Sequence, residues 1–226
     1  MAGCASAPPT ENPMPSIAIS GSDSSHETVV IMLPGRGDRA NSFIRNGFPN
    51  AGELYGFDTI AADAHFGYFR QRNLVERLHE DIVLPARKAG YKKIWLLGIS
   101  AGGFGSILYA SQYPDQIDGV ILLAPFLGDR EAIDELVAAG GLAAWSADES
   151  KLRDYEIAIW SWLNKVTSEA NRKPLLLGYG NADRLSGAYG VLLDVLDSSS
   201  VYTREGGHKW TTWTPLWDSI SADLRF

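Results

Sequence analysis

One serine of this sequence stands in a Gly-x-Ser-x-Gly pattern, the arrangement here most able to do chemistry. Residues 98–102 read GISAG. A chain with this content of glycine and serine gives about 0.2 such matches by chance, so the pattern alone decides nothing. Its setting is more informative, because KIWLLGI before it and AGGFGSILYA after it predict a buried strand, a sharp turn and a helix. Such a turn strains the serine and exposes its hydroxyl, so we predict Ser100 as a nucleophile; the alternative is a purely structural turn.

A histidine must activate that hydroxyl, because serine is a poor nucleophile until a base takes its proton. With a nucleophile between a strand and a helix, the expected order along the chain is serine, acid, histidine. Of the four histidines, only His208 follows Ser100. His208 lies in the glycine-rich stretch EGGHKW, after the last predicted strand. We therefore predict His208 as the general base.

A carboxylate must orient the histidine, and it should follow the strand before the histidine loop. The stretch LLLGYGNAD places Asp183 four residues beyond a predicted strand at 174–179. Asp194 and Asp197 are rivals, but they lie in a helical stretch and at its end, where a solvated helix face is the simpler interpretation. We therefore predict Asp183 as the acid.

Two backbone N–H groups should stabilise the negative oxygen that forms when a nucleophile attacks a carbonyl. One is expected from Ala101, directly after the nucleophile at the start of a helix. The other is expected from Arg36, in the loop LPGRGD after an early strand. The Arg36 side chain has two interpretations: it binds an anionic group of a substrate, or it pairs with Asp38 on the surface. We favour the surface pair.

These residues need a scaffold, and the rest of the sequence alternates strand and helix patterns. The predicted strands are residues 28–33, 57–62, 93–99, 119–124, 174–179 and 200–204. The predicted helices are residues 71–89, disturbed near the end by Pro85, and residues 101–112, 188–196 and 214–224. This alternation predicts an α/β fold, with a mostly parallel twisted sheet and helices on both faces.

A single domain is predicted for residues 16–226, and its alternation of strands and helices is interrupted once. Residues 129–165 form an unusually long, mostly helical insertion after the fourth predicted strand. The insertion carries Trp145, Trp160 and Trp162. It is interpreted either as a small cap or as a pair of ordinary packing helices.

The amino terminus predicts a flexible tether over residues 1–15, because its prolines block a helix. Ala-Gly-Cys at residues 2–4 resembles the cleavage site of bacterial lipoproteins, although Met1 stands where such sites carry leucine. On that interpretation Cys4 is a membrane tether and the protein lies in the cell envelope or periplasm. The alternative is a disordered tail on a cytoplasmic protein. Residues 94–114 are uncharged but rich in glycine and serine, so we expect a strand and a helix there rather than a membrane span.

The composition argues against several classes of protein. The 226 residues carry a net charge of −7, with an isoelectric point of about 5.1. A protein that binds nucleic acid in a groove normally carries a net positive charge. One cysteine rules out an internal disulfide framework, and the histidines lack a metal-binding spacing. We therefore expect no metal and no nucleic-acid partner. The sequence indicates no oligomeric state.

The motifs together resemble those of the α/β-hydrolase superfamily over residues 27–224. LPGRGD stands at the oxyanion loop, with Pro34 where that family usually has histidine. GISAGGFGS, GYGNAD and GGHKW match the nucleophile, acid and histidine turns. The extended GxSxGGxG pattern and the aromatic residue after the histidine also resemble bacterial esterases of the esterase D and feruloyl-esterase kind.

The resemblance implies a serine hydrolase that cleaves a small-molecule carboxylic ester through an acyl-enzyme on Ser100, with His208 and Asp183 completing the triad. It also implies that the reaction needs no organic cofactor. An acyltransferase, thioesterase or peptidase on the same fold is the alternative, as is a surface-anchored binding protein without activity. Aromatic side chains expected near the site could line an apolar pocket: Phe66, Tyr68, Phe69, Phe126, Trp145, Trp160, Trp162, Trp210, Trp213 and Trp217. Of these, Phe126 and Trp210 are the best placed to contact substrate.

Overall fold

The chain builds one mostly parallel sheet. The computed structural model describes residues 8–21, 26–147, 153–168 and 173–224, and these contain seven paired strands. The strands are β1 (Ser16–Ile19), β2 (Thr28–Leu33), β3 (Asp58–Ala62), β4 (Lys93–Ile99), β5 (Gly119–Leu123), β6 (Leu175–Gly180) and β7 (Val201–Arg204). Their order across the sheet is β1-β3-β2-β4-β5-β6-β7, with β1 antiparallel to β3 and every other pair parallel.

The predicted α/β fold is therefore confirmed, and each of the predicted strands lies within one residue of its observed bounds. The sequence prediction misses β1, which lies at the edge of the sheet. Its four residues SIAI are mostly exposed, and their apolar run is shorter than those that mark the buried strands.

Ten α-helices cover the two faces in the described part of the chain. They are α1 (Ala40–Arg45), α2 (Asn50–Tyr55), α3 (Phe66–Arg70), α4 (Leu74–Leu78), α5 (Leu84–Lys88), α6 (Ala101–Gln112), α7 (Arg130–Ala138), α8 (Asp154–Thr167), α9 (Gly190–Leu193) and α10 (Trp210–Asp223). A π-helical turn, His79–Val83, joins α4 to α5. This turn lies beside Pro85, whose ring has no N–H to donate and crowds the preceding turn, so the disturbance predicted there is confirmed.

Strand alternation divides the core into two layers. Val29, Ile31 and Leu33 of β2 point into a layer covered by α3 to α9, whereas Val30 and Met32 point into a layer covered by α1, α2 and α10. All of these side chains are fully buried. Burial on both faces explains why the parallel strands read as continuous apolar runs.

The insertion at residues 129–165 contributes to the first of these layers. It contains α7 and most of α8, and α8 packs against α6. Trp145, Trp160 and Trp162 are all buried in the core on this face. These contacts favour packing helices over a cap for the described part of the insertion, and they remove the three tryptophans from the set of predicted pocket residues.

The uncharged residues 94–114 form most of β4 and the whole of α6, as expected from their glycines and serines. Within the ranges that the structure describes, no helix has both the length and the apolar character needed to cross a membrane. Cys4 lies outside the described residues.

Residues 8–15, called here the N-terminal arm, are part of the predicted flexible tether but lie against the domain. The Glu11 N–H donates to the Tyr68 hydroxyl over 3.1 Å, and the Met14 N–H donates to Asp81 over 2.8 Å. Met14 is buried. A sequence rich in proline and polar residues gives no sign of these long-range contacts, because their partners lie on α3 and the π-helical turn.

Replacing Trp160 with alanine tests whether the insertion belongs to the core. Trp160 is fully buried, so Trp160→Ala should lower the free energy of unfolding by about 3–5 kcal/mol. Val137 lies in the same insertion with 62% of its surface exposed, and Val137→Ala should change the value by less than about 0.5 kcal/mol. Urea unfolding measures both. A loss for Trp160→Ala as small as that of the control would show that the insertion is not part of the core.

Candidate active site

Ser100 lies on a strained turn between β4 and α6. Its backbone angles are φ 52° and ψ −114°, a conformation that non-glycine residues rarely adopt. Hydrogen bonds on both sides fix it: the Ser100 N–H donates to the Leu123 carbonyl over 3.0 Å, and the Ser100 carbonyl accepts from the Phe126 N–H over 3.0 Å. The neighbouring strand therefore holds the serine in this conformation.

The glycines of the motif allow backbone to approach this turn closely. A β-carbon at Gly98 would overlap the Gly102 carbonyl, and one at Gly102 would overlap the Leu33 carbonyl at the end of β2. A β-carbon at the next residue, Gly103, would lie only 2.8 Å from the Pro125 side chain. The spacing of the Gly-x-Ser-x-Gly pattern thus has a steric cause at both of its glycines.

The structure brings Ser100, His208 and Asp183 together in one chain of hydrogen bonds. His208 Nε2 lies 2.9 Å from Ser100 Oγ, and His208 Nδ1 lies 3.0 and 2.8 Å from the two carboxylate oxygens of Asp183. A carboxylate at Nδ1 favours the tautomer that is protonated there, which leaves Nε2 to accept the serine hydroxyl hydrogen. The arrangement can deprotonate Ser100 and hold the resulting positive charge on the imidazole.

Asp183 has a position suited to a fixed carboxylate. Its side chain is fully buried, and the Leu185 N–H donates to Oδ1 over 2.8 Å. A buried carboxylate needs such partners, since burial without hydrogen bonds is costly. The rivals Asp194 and Asp197 are both exposed, and the Nδ1 atom of His208 is hydrogen bonded to Asp183 instead.

The loop that carries His208 is locked against the loop that carries Asp183. The Ala182 N–H donates to the Gly206 carbonyl over 2.9 Å, and a β-carbon at Gly180 would overlap that same carbonyl. Gly206 has a φ of 135°, a value that favours glycine. On its other side the His208 ring stands perpendicular to Trp213, with ring centroids 5.0 Å apart. The acid and the base are therefore positioned as one unit.

The predicted oxyanion loop turns directly beside Ser100. The Asp38 N–H donates to the Gly35 carbonyl over 3.1 Å, and Gly37 has a φ of 91°. A β-carbon at Gly35 would lie 3.4 Å from Ser100 Cβ. The Arg36 N–H takes no part in the hydrogen bond that closes this turn, and the N–H of Ala101, the first residue of α6, has no partner within its helix. Neither N–H group has a hydrogen-bond partner among the described residues.

The favoured pairing of the Arg36 side chain with Asp38 is wrong, because each residue has another partner. The Arg36 guanidinium is exposed and stacks over the Phe66 ring, 4.7 Å from its centroid. The Asp38 carboxylate accepts a hydrogen bond of 2.9 Å from the Ser42 hydroxyl and one of 3.4 Å from Trp210 Nε1. Asp38 therefore joins the oxyanion loop to the helix that follows His208.

An ion pair between the exposed Arg39 and the buried Asp63, which the sequence analysis did not identify, holds the end of the same loop. Arg39 Nε lies 2.9 and 2.8 Å from the carboxylate oxygens of Asp63, and the Ala40 N–H donates to Asp63 over 2.9 Å. Burial acts to raise the pKa of Asp63, but the hydrogen bonds from Arg39 and Ala40 outweigh it, so the pKa lies below its ordinary value. The available signal was an acidic residue directly after the predicted strand 57–62.

Four phenylalanines, called here the aromatic arc, form a row of neighbouring rings. Ring centroids lie 6.0 Å apart for Phe66 and Phe69, 6.4 Å for Phe69 and Phe104, and 5.9 Å for Phe104 and Phe126. Both ends of the arc adjoin the site, since Arg36 covers Phe66 and the Phe126 N–H bonds the Ser100 carbonyl. Phe104 was not predicted, although its place one helical turn after Ser100 was a usable signal.

The two predicted pocket residues have different surroundings. Phe126 is half-buried at one end of the aromatic arc. Trp210 is also half-buried, but it packs in the other core layer, with ring centroids 5.5 Å from Phe43, 5.4 Å from Phe48 and 5.4 Å from Trp213. The aromatic arc and Trp210 therefore belong to different faces of the sheet.

The chain has the fold of several known hydrolases. Est1E from Butyrivibrio proteoclasticus is 18% identical, with 92% of this chain and 91% of that one covered and a TM-score of 0.64. FphF, a fluorophosphonate-binding serine hydrolase of Staphylococcus aureus, is 15% identical, with 92% and 91% covered and a TM-score of 0.63. An S-formylglutathione hydrolase of the same organism is 15% identical, with 87% and 80% covered and a TM-score of 0.61. At these identities the likeness shows the fold alone.

Sequence comparison extends this likeness to a family. No curated protein matches the chain. A family model for hydrolases, described as serine aminopeptidase S33, matches residues 25–179, which include β2 to β5 and the whole nucleophile turn. A match over more than half of the chain shows that this protein belongs to the serine aminopeptidase S33 family of α/β-hydrolases.

Proposed function

We propose that the protein is a serine hydrolase that cleaves small-molecule carboxylic esters through an acyl-enzyme on Ser100. The observation that carries this proposal is the hydrogen-bonded chain of Ser100, His208 and Asp183 at a strained turn. The Arg36 and Ala101 N–H groups beside that turn add to it. Nucleophile, base and oxyanion donors are the parts that acyl transfer needs.

In the first half of the reaction, Ser100 Oγ attacks the ester carbonyl while His208 Nε2 takes the hydroxyl proton. The carbonyl oxygen becomes negative and accepts hydrogen bonds from the Arg36 and Ala101 N–H groups. When the tetrahedral intermediate collapses, the bond to the alcohol breaks, and His208 gives its proton to the leaving oxygen. The products are a free alcohol and an acyl group bound to Ser100.

In the second half, water takes the place of the serine hydroxyl. His208 removes a proton from the water as its oxygen attacks the acyl carbon, and the same N–H groups stabilise the new oxyanion. Collapse breaks the bond to Ser100 Oγ, which recovers its proton from His208. Throughout, Asp183 keeps the imidazole in its tautomer and stabilises its positive form.

The charges around the site favour esters over peptides with a free amino terminus, despite the description of the family. An aminopeptidase binds a substrate ammonium group, for which a carboxylate is the natural partner. The Arg36 guanidinium of the oxyanion loop is exposed, whereas the Asp38 carboxylate is half-buried and accepts hydrogen bonds from Ser42 and Trp210. A cation at this position repels an ammonium group and attracts an anionic one.

Removing the proposed nucleophile should abolish esterase activity while the fold survives. Ser100→Ala should lower kcat for p-nitrophenyl esters by about 10³-fold or more, because no acyl-enzyme can form. Ser111→Ala is the matched control: its hydroxyl also lies on α6 but bonds the Leu108 carbonyl, away from the turn. The rates of hydrolysis of p-nitrophenyl esters of increasing chain length give kcat for both variants. In the wild-type protein, the dependence of the rate on chain length shows how long an acyl group the site accepts.

Three outcomes, with a fluorophosphonate probe and an amide substrate added to the assay, would contradict the proposal. Activity of Ser100→Ala within tenfold of the wild-type protein would exclude Ser100 as the nucleophile. Wild-type protein that neither turns over any of these esters nor reacts with a fluorophosphonate probe would identify a binding protein with the shape of a hydrolase. Labelling by the probe without ester turnover, combined with cleavage of an amide such as a p-nitroanilide, would favour a peptidase.

Replacing the proposed acid should cost far more than replacing either rival. Asp183→Asn should lower kcat by about 10³–10⁴-fold, because the amide can hold the wrong imidazole tautomer and cannot stabilise the imidazolium. Asp194→Asn and Asp197→Asn change exposed carboxylates and should leave kcat within about twofold. Steady-state hydrolysis of one p-nitrophenyl ester compares all three, and equal losses would refute the role of Asp183.

A further inference from the structure

The N-terminal arm is bonded through its backbone to a tyrosine of α3. The Tyr68 hydroxyl accepts a hydrogen bond of 3.1 Å from the Glu11 N–H and donates one of 3.0 Å to the Glu11 carbonyl. Tyr68 is fully buried. One hydroxyl thus satisfies both backbone groups of Glu11, as a neighbouring strand would, and this pairing fixes the path of the arm.

Two further contacts fix the arm along the length of α3. The Pro8 carbonyl lies so close to Gly67 that a β-carbon there would overlap it. The Thr10 hydroxyl donates to the side-chain oxygen of Gln71 over 2.6 Å, directly after the helix ends. The arm therefore contacts α3 at its first turn, its middle and its end.

The rest of the arm is anchored to a part of the fold that cannot easily move. Arg77 donates to the side-chain oxygen of Asn12 over 2.7 Å, and the Met14 N–H donates to Asp81 over 2.8 Å. Arg77 and Asp81 also form an ion pair with each other, and both of their side chains are buried. Since α4 and the π-helical turn carry these residues, the arm connects α3 to the main helical layer.

The aromatic arc depends on α3, which carries Phe66 and Phe69. A helix of five residues is too short to be stable on its own, so its position is set by what packs against it. It is followed by Arg72, with a φ of 56°, so the chain turns away at once and α4 does not extend it. Besides these ring contacts, the arm contacts this short helix at Gly67 and Tyr68 and at Gln71, directly after its end.

We propose that the N-terminal arm is a positioning strap for the acyl side of the active site. By fixing α3, it keeps Phe66 and Phe69 in line with Phe104 and Phe126, where the rings contact a bulky apolar acyl group on Ser100. An acetyl group offers these rings little surface to contact, so its hydrolysis should not depend on the strap. This inference rests on the proposed esterase function. It assigns a preference for acyl groups of a certain size to the N-terminal arm, which is far in sequence from Ser100, Asp183 and His208.

Tyr68→Phe tests the strap, because it removes one hydroxyl and keeps the buried ring. Amide hydrogen exchange within residues 8–14 should become faster by about fivefold or more, because the hydrogen bonds between the Tyr68 hydroxyl and Glu11 are lost. KM for p-nitrophenyl octanoate should rise about fivefold, while kcat/KM for p-nitrophenyl acetate stays within twofold. Tyr109→Phe is the matched control: it is an equally buried tyrosine of the same core layer, with its hydroxyl 2.9 Å from His79.

Asn12→Ala provides a second variant that leaves the core unchanged, because Asn12 is exposed. The change removes the hydrogen bond that Arg77 donates to the Asn12 side chain in the arm. It should show the same selective rise in KM for octanoate. Three results would each overturn the strap. In the first, the kinetic constants for acetate and octanoate change equally in the arm variants; in the second, those for octanoate do not change. In the third, Tyr109→Phe shows the same selective rise in KM for octanoate. If the wild-type protein hydrolyses neither ester, both the proposed esterase function and the strap are wrong. If it hydrolyses them but the arm variants do not raise KM for octanoate selectively, only the strap is wrong.

Discussion

A side chain at position 98 or 102 would overlap backbone that the sheet holds in place, and the geometry of the site follows from that steric constraint. Without β-carbons there, the start of α6 can lie against the Leu33 carbonyl at the end of β2. The chain must then turn sharply within one residue, which forces Ser100 to a φ of 52°. Hydrogen bonds to Leu123 and Phe126 sustain the strain, so the packing of β2, β4 and β5 maintains the orientation of the serine hydroxyl.

The loops around this turn support one another rather than standing alone. The acid and histidine loops share the contact between Gly180 and Gly206, and Asp38 joins the oxyanion loop to Trp210. Because parallel strands end at the same edge of a sheet, four separate loops meet there. A displacement of one loop would therefore shift its neighbour, through backbone contacts in the first pair and through a side-chain hydrogen bond in the second.

Much of this arrangement was predictable because it depends on local patterns. Apolar runs marked the buried strands, and the order of Ser100, Asp183 and His208 along the chain selected three residues that the structure brings within hydrogen-bonding distance. The misses share a different cause. β1, the contact of Glu11 with Tyr68, and the Arg39–Asp63 pair all join residues distant in sequence, with no periodic signal. The stacking of Arg36 on Phe66 likewise depends on where α3 lies, so the nearer Asp38 was the wrong partner.

The direction of β1 has a consequence for how the molecule can be attached to a surface. Because Ser16 pairs with Ala62, the last residue of β3, the chain enters the sheet from the edge where Ser100 lies. At the other end, α10 starts just after His208 and runs away from that edge for fourteen residues, about 21 Å. A linker joined at the start of the arm would therefore leave from the edge that carries Ser100, whereas one joined at the end of α10 would leave from the opposite side. Immobilising the protein through α10 leaves the edge with Ser100 turned toward solution.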